Sequence, residues 1–317
     1  MSEPVLWVEG LRVVFDHPQG LVQAVDDVSF ALMPGERFGL AGESGSGKST
    51  LALAILRMIK SPGRIEAGEV WLAGTRLGDL DEEGTRKMRL ADIALVPQGS
   101  MNSLNPVLRI QRQIADAFAD HGLRLSRSEE EQRIATLLGA VGLPDSVARM
   151  YPHELSGGMK QRACIAIATS LRPKVIIADE PTSALDVVVQ RQVMATLARV
   201  QRELAAAVIL VGHDMGLMAQ FVDRLAVMYA GRLVEVAPIA EIITRPRHPY
   251  TQALIASLPS PERRSTLAGI PGLAPSLRDL PGGCAFHPRC MVATERCRTE
   301  KPKSRDIEGA RVACHLA

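Results

Sequence analysis

The feature that most constrains this chain is a Gly-rich segment, residues 42–49, which reads Gly-Glu-Ser-Gly-Ser-Gly-Lys-Ser. It matches every fixed position of the phosphate-binding loop G-x-x-x-x-G-K-[ST]. The largely apolar residues 36–41 before it predict a buried strand, and residues 50–56 after it predict a helix with an apolar face. Between a strand and a helix, backbone N–H groups and the helix N-terminus can bind phosphate, so a plain Gly/Ser turn is the weaker interpretation.

Two acids end an apolar run at residues 175–180, Val-Ile-Ile-Ala-Asp-Glu. Such a run predicts a strand inside a parallel sheet that is covered on both faces. At the end of that strand Asp179 can hold Mg²⁺, usually through water, and Glu180 can polarise an attacking water. A solvated strand end would explain an acidic pair alone, but it explains less well a pair that follows a phosphate-binding loop.

A second Gly-rich segment, residues 155–159, reads Leu-Ser-Gly-Gly-Met and precedes a helical run at residues 163–168. Ser156 is predicted to cap that helix, and Ser156, Gly157 and Gly158 form a second anion-binding helix start. For Ser-Gly-Gly in isolation, a plain helix cap is the better interpretation. Two such starts in one chain predict two chains that face each other, each contributing its second site to the nucleotide of the other.

Together these motifs resemble the nucleotide-binding subunit of an ATP-binding cassette (ABC) transporter, and the resemblance covers nearly the whole chain. It implies an α/β P-loop NTPase fold in which residues 1–237 form the ATPase domain. A helical subdomain at about residues 98–165 lies within that domain, and in it Ser128 is predicted to begin a capping box. Residues 238–317 form a Pro- and Cys-rich C-terminal extension, here called the tail, whose prolines make long regular elements unexpected.

The resemblance also implies residue roles, with ATP as substrate and Mg²⁺ as cofactor. Glu180 and His213 are the expected catalytic residues, His213 contacting the γ-phosphate, and Asp186 is expected at the dimer interface. Phe15 resembles the aromatic that stacks on adenine, although a strand Phe is more often part of the core. The expected ATP-binding residues are Phe15, Gly42, Ser44, Gly45, Gly47, Lys48, Ser49, Thr50 and Gln98, with Ser156, Gly157 and Gly158 acting in trans. The expected Mg²⁺ ligands are Ser49, Gln98 and Asp179.

The tail narrows the resemblance to the ATPases of oligopeptide and dipeptide importers. Residues 247–251, Arg-His-Pro-Tyr-Thr, and the later Cys-rich stretch resemble their C-terminal extension, and residues 101–106 resemble the same group. In that group an acidic residue and a proline often follow the glutamine that corresponds to Gln98, whereas Gly99 and Ser100 stand here. Nickel and glutathione importers have similar ATPases, so the transported substrate stays open.

Four of the five cysteines, Cys284, Cys290, Cys297 and Cys314, lie in the tail, whereas Cys164 lies in an apolar helical run and is expected to be a buried small residue. Structural disulfides are not expected beside a cytosolic nucleotide. Four thiolates suit a metal or cluster, but their spacing is not that of common zinc pairs, so Zn²⁺, an iron–sulfur cluster and free thiols stay open. His287 and His315 rank lower as substitute ligands. The resemblance implies a [4Fe–4S] cluster.

Composition and charge bear on location and partners. The formal charge of +2 shows no strong bias toward nucleic acid, and residues 1–4, Met-Ser-Glu-Pro, do not resemble a signal peptide. No apolar run reaches membrane-spanning length, so the chain is expected to be soluble and peripheral at the cytoplasmic face of the cell membrane. Expected partners are a second ATPase subunit, identical or a paralogue, two transmembrane permease subunits and, indirectly, an extracytoplasmic substrate-binding protein.

Two other classes of protein remain as alternatives. A soluble cassette ATPase of DNA repair or translation usually carries a long coiled coil or two cassettes in one chain, and neither pattern is present here. A nucleic-acid-binding protein with a metal knuckle is suggested by Arg289, Arg296 and Arg298 beside the cysteines. Acids elsewhere balance these arginines and no aromatic platform accompanies them, so nucleic acid is not an expected partner.

Overall fold

The computed structural model describes residues 3–99, 103–258 and 269–317, and these fall into two units. The first unit comprises the residues up to Leu6 together with Leu32–Glu36 and Trp71–Leu210. The second unit comprises Trp7–Ala31, Arg37–Val70 and Val211–Ala317. The second unit therefore contains both the phosphate-binding loop and the tail, although these segments are far apart in the sequence.

The described strands, in chain order, are β1 (Leu6–His17), β2 (Gly20–Leu32), β3 (Arg37–Ala41), β4 (Gly63–Leu72), β5 (Thr75–Arg76), β6 (Ile93–Val96), β7 (Val175–Asp179), β8 (Ala207–Gly212), β9 (Arg224–Tyr229), β10 (Arg232–Pro238), β11 (Arg305–Ile307) and β12 (Ala310–Val312). The described α-helices are α1 (Lys48–Ile55), α2 (Glu82–Ala91), α3 (Ile110–Asp120), α4 (Arg127–Ala140), α5 (Gly157–Ala168), α6 (Val187–Leu204), α7 (Met215–Phe221), α8 (Ile239–Thr244), α9 (Pro249–Ala256) and α10 (Glu295–Thr299). Within these residues, every helix is too short or too polar to cross a lipid bilayer.

The centre of the first unit is a buried parallel strand pair. β6 pairs with β7 in parallel, from Ile93 opposite Val175 to Val96 opposite Ala178. All five residues of β7 are buried, and β8 lies on its other side. The prediction of a fully covered parallel strand ending in an acid is therefore confirmed, because an apolar strand with no polar face is stable only when both faces are packed.

Helices α3, α4 and the start of α5 occupy the region predicted to be helical. The prediction that Ser128 begins a capping box is wrong, because Ser126 caps α4 instead. The Ser126 hydroxyl accepts the N–H of Glu129 at 3.3 Å, and the Glu129 carboxylate accepts the N–H of Ser126 at 2.7 Å. Ser128 also stands three residues before a glutamate, Glu131, but it lies inside α4 and so cannot be its N-cap.

In the second unit the tail adds its own strands to a sheet. The strand order there is β11-β12-β10-β9-β3, with β3 parallel to β9 and the other neighbours antiparallel. β12 pairs with β10 at Glu235 opposite Val312, and Ala313 N–H donates to the carbonyl of Val234 at 2.9 Å. The longest described tail helix, α9, has only 8 residues. Because the elements of the tail are short, its backbone pairing with β10 holds it in place.

Aromatic side chains hold the tail against β9. The Tyr229 and Tyr250 rings lie 4.5 Å apart, and Phe286 lies 5.3 Å from each of them. The chain has 6 Phe, 2 Trp and 3 Tyr, and this cluster contains two of the tyrosines and one of the phenylalanines. All three side chains are buried, and such contacts stabilise beyond the apolar area that they remove from water.

A buried polar group lies beside this aromatic cluster. The Glu235 carboxylate is 1% exposed and accepts the backbone N–H groups of Arg247 and His248 at 2.8 and 2.9 Å. The Nδ1 of His248 accepts the N–H of Tyr250 at 3.0 Å and thereby caps α9. Burial lowers the pKa of His248 from 6.5 to about 4, so the ring is neutral in the folded protein at neutral pH.

We expect His248 to make the tail sensitive to acid. Because the pKa is lower in the folded chain, the unfolded chain binds the proton first as the pH falls. The stability that neutral His248 provides is therefore complete above pH 6.5 and is lost between pH 6.5 and about 4. Between pH 7 and 5 the free energy of unfolding should fall by about 2 kcal/mol more in the wild type than in His248→Asn, whose side chain can still cap α9.

Urea unfolding at the two pH values measures this difference. His153→Asn is the matched control, because His153 is exposed and should leave the pH dependence of the wild type unchanged. Equal losses of stability on acidification in the wild type and His248→Asn would contradict the assignment.

Candidate functional site

The phosphate-binding loop lies between β3 and α1 and contacts two other strands of the second unit closely. Gly42 and Gly47 have φ angles of 153° and 103°. A Cβ atom on Gly42 would lie 2.2 Å from the carbonyl oxygen of Met228, and one on Gly47 would lie 2.2 Å from that of Ala24. Only glycine fits at either position, whereas Gly45, with φ of 78°, faces open space.

Lys48 is buried at the centre of this loop. Its Nζ donates to the carbonyl oxygens of Gly42 and Glu43, each at 2.8 Å, and to the Ser46 hydroxyl at 3.3 Å. The ammonium group is thus held by the loop at the N-terminus of α1, where N–H groups and the helix dipole favour an anion. Ser49 and Thr50 follow in the first turn of α1 and are partly exposed.

Residues of the tail hold the loop at Glu43. The Tyr250 hydroxyl accepts the backbone N–H of Glu43 at 2.9 Å. Arg289 donates two hydrogen bonds to the Glu43 carboxylate, at 2.7 and 3.0 Å, and this contact raises the pKa of Arg289. Neither contact could be predicted from the sequence, because they join residues 207 and 246 positions apart. The Arg-His-Pro-Tyr motif identified the tail, but no local pattern identified its partner.

A cavity of about 310 Å³ opens beside the loop. It is lined by Ser44, Gly45 and Ser46 of the loop and by Tyr229. Residues 274–278 of the tail also line it. The tail therefore forms part of the wall around the loop.

Two further predicted residues lie in the second unit. The Phe15 ring in β1 is half-buried and packs on Gly63, where a Cβ atom would lie 2.5 Å from the ring. His213 is exposed and follows β8, and the next residue, Asp214, caps α7 by accepting the N–H of Leu217 at 2.9 Å. The cap fixes the turn from which His213 projects.

The first unit brings Gln98 and Glu180 together. Asp179 ends β7 and is 8% exposed, and Glu180 follows it with φ of 43°. Gln98 Nε2 donates to the Glu180 carboxylate at 2.9 Å. A glutamate with positive φ is uncommon, and such backbone strain is concentrated at functional sites. The strand end and Gln98 together fix the carboxylate of Glu180.

The segment after Gln98 is only partly described. Of residues 101–106, Met101 and Asn102 lie outside the described residues. Asn105 is bound to α3, because its N–H donates to Gln113 Oε1 at 2.9 Å and its carbonyl accepts from Gln113 Nε2 at 3.1 Å.

The second helix start also lies in the first unit. The exposed Ser156 caps α5 by accepting the N–H of Met159 at 3.3 Å, as predicted. A Cβ atom on Gly158 would lie 2.5 Å from Val189 Cγ1, so glycine lets α5 approach α6 closely. Asp186 caps α6 by accepting the N–H groups of Val188 and Val189, each at 3.0 Å. Both helix starts therefore have side-chain caps.

Four tail cysteines lie near one another in the second unit. Burial raises the pKa of the Cys284 thiol, and the thiols of Cys297, Cys314 and Cys290 raise it further. Burial also raises the pKa of Cys290. Cys164 is buried in α5. Among the residues with described placement, no group of three or more His, Cys, Asp or Glu is arranged around a single metal ion.

Each of the four sulfur atoms has a hydrogen-bond partner. The backbone N–H of Phe286 bonds to Cys284, and that of Val292 bonds to Cys290. The N–H of Leu316 donates to Cys314 Sγ at 3.4 Å, and the Thr294 hydroxyl lies 3.3 Å from Cys297 Sγ. In contrast, His287 and His315 each place a ring nitrogen on a backbone carbonyl oxygen, at 3.0 and 2.9 Å.

Two family models match the chain. The model described as "ABC transporter" matches residues 25–183, and the model described as "Oligopeptide/dipeptide transporter, C-terminal region" matches residues 234–297. The dipeptide transport ATP-binding protein DppD of Haemophilus influenzae is 42% identical over 316 residues, covering 98% of this chain and 95% of that protein. DppD of Escherichia coli is also 42% identical, covering 98% of this chain and 96% of that protein.

A solved structure supports the same assignment. The dimeric post-hydrolysis state of the ATP-binding cassette MJ0796, bound to ADP and Pi, superimposes with a TM-score of 0.66 at 27% identity. The match covers 74% of this chain and 98% of that one. The predicted α/β cassette fold is therefore confirmed. The chain belongs to the ABC transporter family, as an ATP-hydrolysing cassette subunit that carries the C-terminal region of the oligopeptide/dipeptide transporters.

Proposed function

We propose that this subunit hydrolyses ATP to energise the import of dipeptides or oligopeptides. The observation that carries the proposal is the match of residues 234–297 to the oligopeptide/dipeptide C-terminal region, downstream of a complete cassette. The dipeptide-transport relatives that align along nearly the whole chain support the same substrate class. Import of nickel or glutathione, and a non-transport cassette function, are the alternatives.

The proposed assembly contains more than this chain. A second cassette subunit, identical or a paralogue, would pair with it, and two permease subunits would provide the channel. An extracytoplasmic substrate-binding protein would deliver the peptide. The cassette would then lie at the cytoplasmic face of the membrane, with permease contacts near Gln98 and residues 101–106. The proposed domain organisation is a cassette of residues 1–237 and an extension of residues 238–317.

In the proposed nucleotide site, each motif binds one part of Mg·ATP. Phe15 stacks on adenine, and the glycines and hydroxyls of the loop bind the phosphates with Lys48. The proposed loop ligands are Gly42, Ser44, Gly45, Gly47, Ser49 and Thr50. Ser49, Gln98 and Asp179 carry the oxygen donors that Mg²⁺ prefers, and the ion would neutralise phosphate charge.

Hydrolysis needs positioning and charge neutralisation more than covalent chemistry. We assign Glu180 to orient the attacking water and His213 to hold the γ-phosphate. The hydrogen bond from Gln98 holds the Glu180 carboxylate in one orientation, and this supports its proposed role. Lys48 Nζ is held at the centre of the loop by two carbonyl oxygens and the Ser46 hydroxyl, and it would exchange some of these hydrogen bonds for phosphate oxygens when nucleotide binds.

The proposed catalytic site is shared between two chains. Ser156, Gly157 and Gly158 would contact the nucleotide in the loop of the opposite subunit, and Asp186 would lie at the interface. Val187 and Val188, which follow Asp186, are 64% and 65% exposed. Large apolar side chains exposed beside a capped helix start are typical of a surface that is covered in an assembly.

We further propose that Cys284, Cys290, Cys297 and Cys314 ligate a [4Fe–4S] cluster, with Zn²⁺ as the alternative. The four thiols lie close enough to affect one another electrostatically, and each sulfur has a hydrogen-bond partner, as cluster thiolates do. The cluster would stabilise a tail whose own elements are short.

Of the predictions that follow from the proposed function, the first concerns catalysis. The chain should co-purify from native membranes with permease subunits, and the reconstituted complex should hydrolyse ATP faster with peptides than with nickel or glutathione. Glu180→Gln should still bind ATP, but its turnover should fall by roughly 10²- to 10⁴-fold, because water is no longer polarised. Equilibrium nucleotide binding and phosphate release measure the two effects.

Two comparisons make this result specific. Glu203→Gln, at an exposed position on α6, should leave turnover unchanged, and Lys48→Ala should weaken both binding and turnover. Near-normal hydrolysis in Glu180→Gln would remove Glu180 from the mechanism. Stimulation by nickel or glutathione alone would replace the peptide assignment.

The second prediction concerns the shared site. In a mixed complex where only this chain carries Ser156→Arg, hydrolysis should be lost in the site built on the partner's phosphate loop. A photoreactive ATP analogue distinguishes the two sites. It labels the chain whose phosphate-binding loop still holds unhydrolysed nucleotide. Ser128→Arg, at an exposed serine in another helix start, is the control and should leave both sites active. Loss confined to this chain's own loop would rule out sharing.

The third prediction concerns the tail cysteines. Protein purified without oxygen should be brown and contain iron and sulfide, and Cys290→Ser should remove the colour because a thiolate ligand is lost. Cys164→Ser, in α5, is the matched control and should keep it. Colourless protein with one tightly bound zinc would establish the zinc alternative, and protein without metal would establish free thiols.

A further inference from the structure

The tail contacts the phosphate-binding loop through one buried ion pair. Arg289 donates to both carboxylate oxygens of Glu43, at 2.7 and 3.0 Å. The side chains of Arg289 and Glu43 are 5% and 29% exposed. A two-point contact between a planar guanidinium and a carboxylate fixes orientation as well as distance, and burial protects it from screening by salt.

Other contacts hold Arg289 in place. Its Nε donates to the carbonyl oxygen of Pro271 at 2.7 Å, and its Nη1 donates to the Tyr229 hydroxyl at 3.3 Å. Its guanidinium also lies 5.9 Å from the centre of the Tyr229 ring. The tail therefore presents Arg289 to Glu43 in a fixed orientation, with little side-chain entropy left to lose.

Glu43 in turn connects to the atoms of the loop that would bind phosphate. Its carbonyl oxygen accepts from Lys48 Nζ at 2.8 Å and from the N–H of Ser46 at 3.2 Å. Its N–H donates to the Tyr250 hydroxyl. A displacement of Glu43 would therefore move the loop backbone and Lys48 together.

The wall of the cavity beside the loop supports the same connection. Residues 274–278 line this cavity together with Ser44, Gly45 and Ser46. They lie in the chain between Pro271 and Arg289, the two residues joined by the hydrogen bond of Arg289 Nε. Arg289 therefore contacts both the loop, through Glu43, and the tail just before the segment that lines the cavity, through Pro271.

We propose that Arg289 is a positioning residue for nucleotide binding, which acts through Glu43 to hold the phosphate-binding loop in its binding conformation. The tail thereby sets the affinity of the cassette for Mg·ATP and for ADP, because both nucleotides place a β-phosphate in the loop. This inference rests on the proposed nucleotide-binding role of the loop. A purely structural role for Arg289 would change the stability of the tail and leave nucleotide affinity unchanged.

The test measures equilibrium binding of a fluorescent ADP and of Mg·ATP by the full-length subunit in its membrane complex. Arg289→Ala should raise both Kd values by about tenfold, within the range of interaction energies found between residues of one network. Arg289→Lys should fall between the wild type and Arg289→Ala, because an ammonium cannot form the two-point contact. KM for ATP should rise in parallel, with kcat at saturation nearly unchanged, because the hydrolytic residues are intact.

A double-mutant cycle establishes whether Arg289 acts through Glu43. Glu43→Gln alone should also raise Kd, and adding Arg289→Ala to it should raise Kd little further. Additive effects would overturn the proposal. Arg298→Ala is the matched control in the same tail, because Arg298 pairs only loosely with Glu295 at 3.7 Å on the surface, and it should leave Kd unchanged.

The remaining outcomes are also decisive. If Arg289→Ala does not fold, Glu43→Gln decides alone, since it leaves every tail residue in place and an unchanged Kd would overturn the inference. If the wild type binds nucleotide and both single variants bind equally well, the inference fails while the nucleotide site stands. If the wild-type complex binds no nucleotide, the proposed function itself fails.

Discussion

The close approach of the loop backbone to two strands is the constraint on which the rest of the site depends. At Gly42 and Gly47, a Cβ atom would lie 2.2 Å from the carbonyl oxygens of β9 and β2 residues. This contact forces the loop to curl, and the curl places Lys48 where it can donate to two loop carbonyl oxygens. A side chain at either glycine would push the loop away and remove the lysine from its position.

The tail is part of the structure that supports this loop. It pairs with β10 through β12, packs Phe286 on Tyr229 and Tyr250, and places Arg289 on Glu43. These three contacts are of different types: backbone hydrogen bonding, apolar packing and a buried ion pair. Arg289 immediately precedes Cys290, so the proposed cluster would stabilise the same segment that holds the loop. A tail that is remote in the sequence therefore contacts the phosphate-binding loop directly.

Several elements could be predicted from the sequence because their signals are local. β3, α1 and β7 fold where apolar runs predict them, and Ser156 caps α5 as its motif predicts. The cap of α4 was predicted at the wrong serine, because the local sequence offers two candidates and only the reciprocal bond between Ser126 and Glu129 distinguishes them. The hydrogen bond between Gln98 and Glu180 joins two motifs that were recognised separately.

The sequence by itself determined the family, the phosphate-binding loop and the acidic strand end, because each of these motifs consists of covalent neighbours with fixed geometry. The tertiary structure alone decided that Tyr250 and Arg289 hold Glu43. Contacts between residues 207 and 246 positions apart depend on how β9, β10 and β12 pair and on what packs against them. Strand pairing forms only when the whole core assembles, so it cannot be predicted from any short stretch of the sequence.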